Sequence, residues 1–268
     1  MDIQSLFGLE GRVALVTGGS RGIGKMIVEG LLAAGVARVY ICARKKEQVD
    51  ETSAELGDKV IGLVADLSQM DGIKALADEI AQREDKLDIL VNNAGAAWGE
   101  PFTEFSEAGW HRTMDLNVKT PFFLTQKLYP LLKAAGTVDR PSKVLMIASI
   151  DGMKSNPWPT YPYQASKAGL IHLTRRMAAE LAKDNIIVNG IGPGAFPSEM
   201  NRAARDNAEA SARGIPSGRV GVTEDMAAGA IYLLSRAGDY VVGTTIPIDG
   251  GVVNANIGAG NFVDPSGQ

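Results

Sequence analysis

The sequence holds one cysteine, Cys42, and only two histidines, His111 and His172, in 268 residues. A single cysteine excludes an intrachain disulfide and suits a reducing, cytoplasmic compartment. Two distant histidines without ligand spacing leave no structural metal site to expect. Charge of one sign is scarce as well: 27 Lys and Arg face 31 Asp and Glu, a formal net charge of -4. A nucleic-acid partner needs a basic surface, which this balance does not supply. No apolar run approaches the ~20 residues of a membrane span. The opening Met1-Asp2-Ile3-Gln4-Ser5 has no basic segment leading into an apolar one, so no signal peptide is expected. No Pro/Ser-rich linker or internal repeat divides the chain, and a single domain over residues 1–268 is expected.

What is present is a rhythm. Short apolar runs at 12–17, 38–43, 60–65, 87–92, 143–149, 186–191 and 245–249 alternate with longer helical stretches. Most are rich in Val, Ile and Leu without polar alternation, the pattern of strands buried on both faces. Ser68 and Ser106 are candidate helix caps, and Thr223-Glu224-Asp225 reads as an acidic first turn. Repeated strand–helix–strand units predict a doubly wound, Rossmann-type α/β fold, a parallel sheet with helices on both faces. Residues 195–221 break the rhythm, being polar and punctuated by Gly and Pro. Following a strand end, where ligands sit in such sheets, they are expected to form a lid.

After the first strand comes Thr17-Gly18-Gly19-Ser20-Arg21-Gly22-Ile23-Gly24. Glycines here permit a tight turn and close approach to a pyrophosphate, and the helix that follows offers free N–H groups to an anion. Gly19 to Lys25 also matches a triphosphate loop, but Met26 stands where that loop needs a hydroxyl, and this reading is rejected. An NAD site usually carries a carboxylate about 20 residues past the first glycine. Residues 38–46 hold no acid and instead contain Arg44-Lys45-Lys46. With Arg21, these cations favour a ribose 2′-phosphate, hence NADP(H). Asp66, after the third strand, is a candidate for the adenine amino group. Asn92-Asn93-Ala94-Gly95, after the fourth, is a candidate lining for the adenosine.

Tyr163 and Lys167 stand four apart, on one face of a helix whose apolar stripe continues through Leu170, Leu173, Met177 and Leu181. A neighbouring ammonium is expected to lower the tyrosine pKa, so the pair can exchange a proton with a carbonyl or alcohol oxygen. Ser149, ending the fifth strand, can hydrogen-bond that oxygen. Tyr129 and Lys133 share the spacing but lack an upstream serine, and Pro130 follows the tyrosine; packing explains them. Pro121 has no N–H for the carbonyl of Asn117, which frees that carbonyl to hold a water on a path towards Lys167.

Together, Thr17 to Gly24, Asn92 to Gly95, Asn117, Ser149, Tyr163 with Lys167, and Pro193-Gly194 resemble the short-chain dehydrogenase/reductase family, over nearly the whole chain. The wording is most similar to the 3-oxoacyl reductase branch, including the rhamnolipid type. The resemblance implies a seven-stranded sheet and a homotetramer (or homodimer). It implies a proton donor at Tyr163, a carbonyl anchor at Ser149, a ribose-holding Lys167 and a water-organising Asn117. It places Gly18, Ser20, Arg21, Gly22, Ile23, Gly24 and Arg44 on the cofactor. Asp66, Leu67, Asn93, Ala94 and Gly95 follow there, then Tyr163, Lys167, Pro193, Gly194, Phe196 and Ser198. Ser198 stands where many members have threonine. The insert Asn156-Pro157-Trp158-Pro159 and the tail 252–268 are departures.

Trp98, Met153, Trp158, Tyr161, Phe196 and Met200 fall near strand ends and suggest an apolar pocket for a ketone or acyl thioester. Arg202, Arg205, Arg213 and Arg219 are candidates for an acyl-carrier contact, diluted by Glu199, Asp206 and Glu209. The expected activity is NADP-dependent reduction of a ketone to a secondary alcohol, or the reverse. The alternatives are a sugar, polyol or aromatic alcohol dehydrogenase and, outside enzymology, a nucleotide-binding regulator.

Overall fold

The computed structural model describes residues 1–255; the expected tail 252–268 lies mostly outside them. Seven strands form one parallel sheet: β1 (Val13–Thr17), β2 (Arg38–Ala43), β3 (Val60–Val64), β4 (Ile89–Asn92), β5 (Ser142–Ile147), β6 (Ile186–Pro193) and β7 (Thr245–Ile248), in the order β3-β2-β1-β4-β5-β6-β7. The order reverses between β1 and β4, and in such sheets ligands bind outside the carboxyl ends at that switch point.

Burial on both faces follows from a period of two. Ala14, Val16, Val39, Ile41, Ile89, Val91, Leu145 and Ile147 enter one core. Their neighbours Leu15, Tyr40, Cys42, Leu90, Val144 and Met146 enter the other. The first core lies under α2 (Gly22–Ala33), α3 (Lys46–Leu56) and α10 (Thr223–Leu234). The second lies under α4 (Met70–Arg83), α6 (Thr120–Ala135) and α7 (Tyr161–Leu181). Helices α2 and α10 touch through Gly30, where a Cβ would sit 2.6 Å from Ala227 Cβ. The remaining helices are short: α1 (Ile3–Phe7), α5 (Glu107–Met114), α8 (Arg202–Asp206) and α9 (Ala208–Ala212).

Ser106 caps α5, accepting from the Gly109 N–H, and Glu224 and Asp225 stand in the first turn of α10. Ser68 does not cap α4: that helix starts at Met70 with Gln69 before it, and the Ser68 N–H donates to Asp66 Oδ1 at 3.0 Å. The Asp66 side chain thus makes its own short turn at this point and displaces the expected cap. Among the described residues no helix is long and apolar enough to cross a membrane, and no cluster of His, Cys, Asp and Glu could hold a metal.

Candidate active site

The glycine turn joins β1 to α2. Gly18 (φ +64) and Gly22 (φ +52) adopt left-handed backbone that side chains disfavour. A Cβ at Gly24 would lie 2.2 Å from the Gly18 carbonyl oxygen. Ser20 and Ile23 turn inward beside it, and Arg21 is exposed. Arg21 precedes α2 without a side-chain cap, leaving the first N–H groups of that helix to an anion. Backbone that only glycine fits and an uncapped helix end suit a dinucleotide pyrophosphate. Above the turn, a cavity of about 310 Å³ separates Arg21, Gly22 and Lys25 from Pro197, Ser198 and Arg205 of the 195–221 segment. Arg44 is exposed at the end of β2, whereas Lys46 is paired with Asp50 at 2.5 Å.

Several expected cofactor contacts take other work. Asn93 braces the glycine turn: its amide donates to the carbonyls of Thr17 (2.8 Å) and Gly18 (3.2 Å). Asn92 is buried and donates to Thr125 Oγ1 at 3.1 Å, so its amide is spent inside the fold. The Leu67 side chain belongs to the second core, and its carbonyl accepts from the buried Thr120 Oγ1 at 2.6 Å. Phe196 is 2 % exposed, packed in the first core beneath Gly221, and anchors the base of the 195–221 segment, where it lines a small cavity with Ile215 and Ile248. Pro193 ends β6, and Gly194 donates to Ile248 at 2.9 Å. The Ser198 side chain lies over Gly22. Asp66 is exposed; its carboxyl is held below the ordinary range first by the Ser68 N–H.

The chemical residues converge at the carboxyl ends of β4 and β5. A π-helical turn, Asp115–Lys119, joins α5 to α6, with the Thr120 N–H reaching back to the Asp115 carbonyl. This break in the ladder coincides with Pro121, which cannot donate to Asn117. It presents the fully buried Asn117 inward. The Asn117 amide accepts from Ala96 N–H (2.8 Å) and donates to the Ala96 carbonyl (2.9 Å) and Ser166 Oγ (2.9 Å). Lys167, also buried, donates to the Ile147 carbonyl at 2.8 Å. Gly95 joins the two: a Cβ there would lie 3.1 Å from Asn117 Oδ1 and 3.6 Å from Lys167 Nζ. Ser149 lies two residues beyond β5, nearly buried, its hydroxyl accepting from the Asp151 N–H at 3.1 Å.

The structure corrects the expected electrostatics of the pair. Lys167 Nζ lies 5.6 Å from the centre of the Tyr163 ring and is bonded to a backbone carbonyl. Burial dominates both groups. It pushes the Tyr163 phenol up to about 12, offset in part by the Ser149 hydroxyl. It pulls the Lys167 ammonium down to about 8. Desolvation thus outweighs the lowering expected from an ammonium at that distance, and the net shift of the tyrosine is upward.

Around this centre, Trp98 is held by Glu100 (Nε1 to Oε1, 2.7 Å) and by Arg112 4.9 Å from its ring. Met153 packs on Gly192. Tyr161 meets Phe102 and Phe105 edge to face at 5.6 and 5.8 Å. Trp158 and Met200 are exposed. The basic candidates are largely consumed: Arg202 and Arg205 pair with Glu199, and Arg205 also with Asp206. Arg219 pairs with Asp225 at 2.5 Å, holding that carboxyl down to about 2. Sequence reasoning passed over Asp151 and Ser166: Ser166 meets Asn117 from a different element, while the Asp151 N–H bonds Ser149 only two residues away, in a turn with no distinguishing pattern.

Comparison with known proteins gives consistent results. The short chain dehydrogenase family matches residues 12–209. The rhamnolipids biosynthesis 3-oxoacyl-[acyl-carrier-protein] reductase of Pseudomonas aeruginosa is 46% identical over 91% of this chain and 97% of its own. The 2-dehydro-3-deoxy-D-gluconate 5-dehydrogenase of Escherichia coli is 39% identical over 93% and 98%. Among solved structures, the RhlG/NADP active-site complex of Pseudomonas aeruginosa superposes with a TM-score of 0.89 at 45% identity, covering 93% of this chain and 99% of that one.

Proposed function

The chain belongs to the short-chain dehydrogenase family, and from that premise we propose that it is an NADP(H)-dependent oxidoreductase interconverting a ketone and a secondary alcohol. One observation carries the reading: Asn117, Ser149 and Lys167 are buried around the half-buried Tyr163 at the carboxyl ends of β4 and β5. A regulator needs no such proton-handling set. NADPH, when bound across the turn, supplies the hydride. Gly18, Gly22 and Gly24 would let the backbone close on its pyrophosphate, and Arg21 and Arg44 would hold the 2′-phosphate. NADP-bound relatives support this choice of cofactor.

The chain's own residues manage the oxygen and its proton. The Ser149 hydroxyl holds the substrate oxygen. Tyr163, whose pKa of about 12 keeps it protonated near neutrality, donates to that oxygen during reduction. Lys167 is largely charged below about 8 and stabilises the phenolate left behind. Through the proline-freed carbonyl of Asn117, a water links Lys167 to solvent and restores the proton. Residues 195–221 cover the site, anchored at Phe196. A cytoplasmic homotetramer is part of the same reading, supported by the family resemblance and by exposed apolar side chains at Trp110, Phe122, Tyr232 and Tyr240.

NADPH oxidation against β-ketoacyl thioesters, aryl ketones and sugar acids tests the proposal. Turnover of a ketone is expected, with NADPH preferred to NADH. Preference for NADPH should shrink by about tenfold or more in Arg21→Ala/Arg44→Ala. A strong NADH preference in the parent enzyme would contradict the roles of both arginines.

A further inference from the structure

Asp151 differs from the other charged residues near the site. It is the middle residue of a 3-10 turn, Ile150–Gly152, that directly follows Ser149. Its own N–H donates to Ser149 Oγ. The turn is pressed against α7: a Cβ at Gly152 would fall 2.5 Å from the Lys167 carbonyl carbon and 2.7 Å from the Ala168 nitrogen. On the other side, Met153 packs on Gly192 of β6, with its methyl 2.7 Å from a Cβ there. The backbone carrying Asp151 is therefore fixed between α7 and β6, beside the reacting groups.

Most acids flanking the site are spent in pairs. Glu199 is bonded to Arg205, Asp225 to Arg219, and Glu100 to Trp98 and Ser106. Among the described residues no Lys or Arg nitrogen lies within 4.0 Å of the Asp151 carboxylate, although the residue is half-buried. Lys154 is turned away, donating to the Val252 carbonyl at 3.3 Å. Lys167 makes no ion pair with it, its Nζ being committed to the Ile147 carbonyl. The field of Asp151 still reaches the centre, since it opposes loss of the proton from both Tyr163 and Lys167.

We infer that Asp151 is a specificity-determining residue: its carboxylate, which has no ion-pair partner and is carried on the fixed turn after Ser149, disfavours an anionic group next to the reacting carbonyl. The site thus takes neutral ketones, esters and thioesters and refuses keto acids and sugar acids. This rests on the ketone-reductase reading and narrows it. It separates two kinds of relative by chemistry, the 3-oxoacyl reductases and the gluconate dehydrogenases. Two like charges about 7–10 Å apart at an effective dielectric of about 20 give discrimination of more than about tenfold.

The test uses holoenzyme and a pair of compounds differing in charge, acetoacetate and methyl acetoacetate. The parent enzyme should favour the ester in kcat/KM by more than about tenfold. Asp151→Asn should shrink that ratio by about tenfold, chiefly through the KM of the acid, and Asp151→Glu should restore it. Equilibrium binding of both compounds to NADPH-loaded Tyr163→Phe, alone and combined with Asp151→Asn, gives a second readout independent of turnover. A charge preference in binding without reduction of either compound would count against the reductase reading and for Asp151. An ester-to-acid ratio that Asp151→Asn leaves unchanged, or binding of neither compound, overturns the inference.

Discussion

The chain carries the same four-residue spacing twice, and the two copies behave oppositely. Tyr129 and Lys133 lie on α6, Tyr163 and Lys167 on α7. The lysine nitrogen stands 5.7 Å from the ring centre in the first pair and 5.6 Å in the second. Helical geometry is therefore equal, and only the surroundings differ. Lys133 reaches solvent and Asp184 at 2.7 Å, and that carboxylate raises its pKa. Lys167 is buried against a backbone carbonyl, and desolvation lowers its pKa to about 8. The Tyr129 hydroxyl is spent on Asp184 at 3.0 Å, whereas the Tyr163 hydroxyl has Ser149 beside it. A tyrosine above a lysine becomes an acid–base pair where the lysine is buried and no carboxylate pairs with it.

The sharpest way to break the comparison is to remove both hydroxyls in turn. Tyr163→Phe should lower kcat by about 10²- to 10⁴-fold, the range of a lost general acid. Tyr129→Phe should stay within about twofold of the parent. Steady-state ketone reduction measures both. Equal losses in the two variants would show that the spacing matters and the surroundings do not.

Much of this contrast was legible in the sequence, for definable reasons. Strands buried on both faces read as unbroken Val, Ile and Leu runs, and so the sheet was visible, to within a residue or two at each end. Asn117 was visible because Pro121 removes a specific N–H, and the π-helical turn lies where that loss predicts a defect. What did not show was side-chain direction. Phe196 and Leu67 sit where ligand contacts are expected, yet their side chains fill cores. Asn93 spends its amide on the glycine turn. The pKa of Tyr163 departs from the sequence expectation for a related reason. Sequence places a lysine nearby, but the burial that overrides it is produced by residues distant in the chain.

A second expected outcome concerns the lysines themselves. Titration of both ammonium groups by NMR of ¹³C-labelled lysine should give Lys167 a midpoint near about 8 in the ligand-free enzyme and Lys133 a midpoint above 10.5. The signs carry over to stability through linkage. The Lys133 pKa is raised in the fold, so its contribution is present below 10.5 and lost as pH rises through the folded value. The Lys167 pKa is depressed, so the fold is penalised while that lysine is charged, and the penalty is relieved as pH rises from about 8 towards 10.5. A Lys167 midpoint at or above 10.5 would remove desolvation as the difference between the pairs.

The smallest effect belongs to the carboxylate that separates them. Asp184→Asn leaves a side chain of similar size at the end of α7 but removes the charge facing Lys133. The Lys133 midpoint should fall back towards the ordinary lysine value, and the Tyr129 hydroxyl should keep an acceptor in the asparagine carbonyl. Because the pair is exposed on the lysine side, screening by solvent leaves little stability at stake. Melting temperature should move by no more than about 2 °C at low salt, and the difference should vanish near 1 M salt, where screening acts within about 3 Å. Reductase activity should be untouched, since a rescue of Tyr129 as a working acid would also require a buried lysine, which α6 does not provide. Any gain in a Tyr163→Phe background would mean that partner charge alone distinguishes the two pairs. No gain would leave burial as the deciding cause.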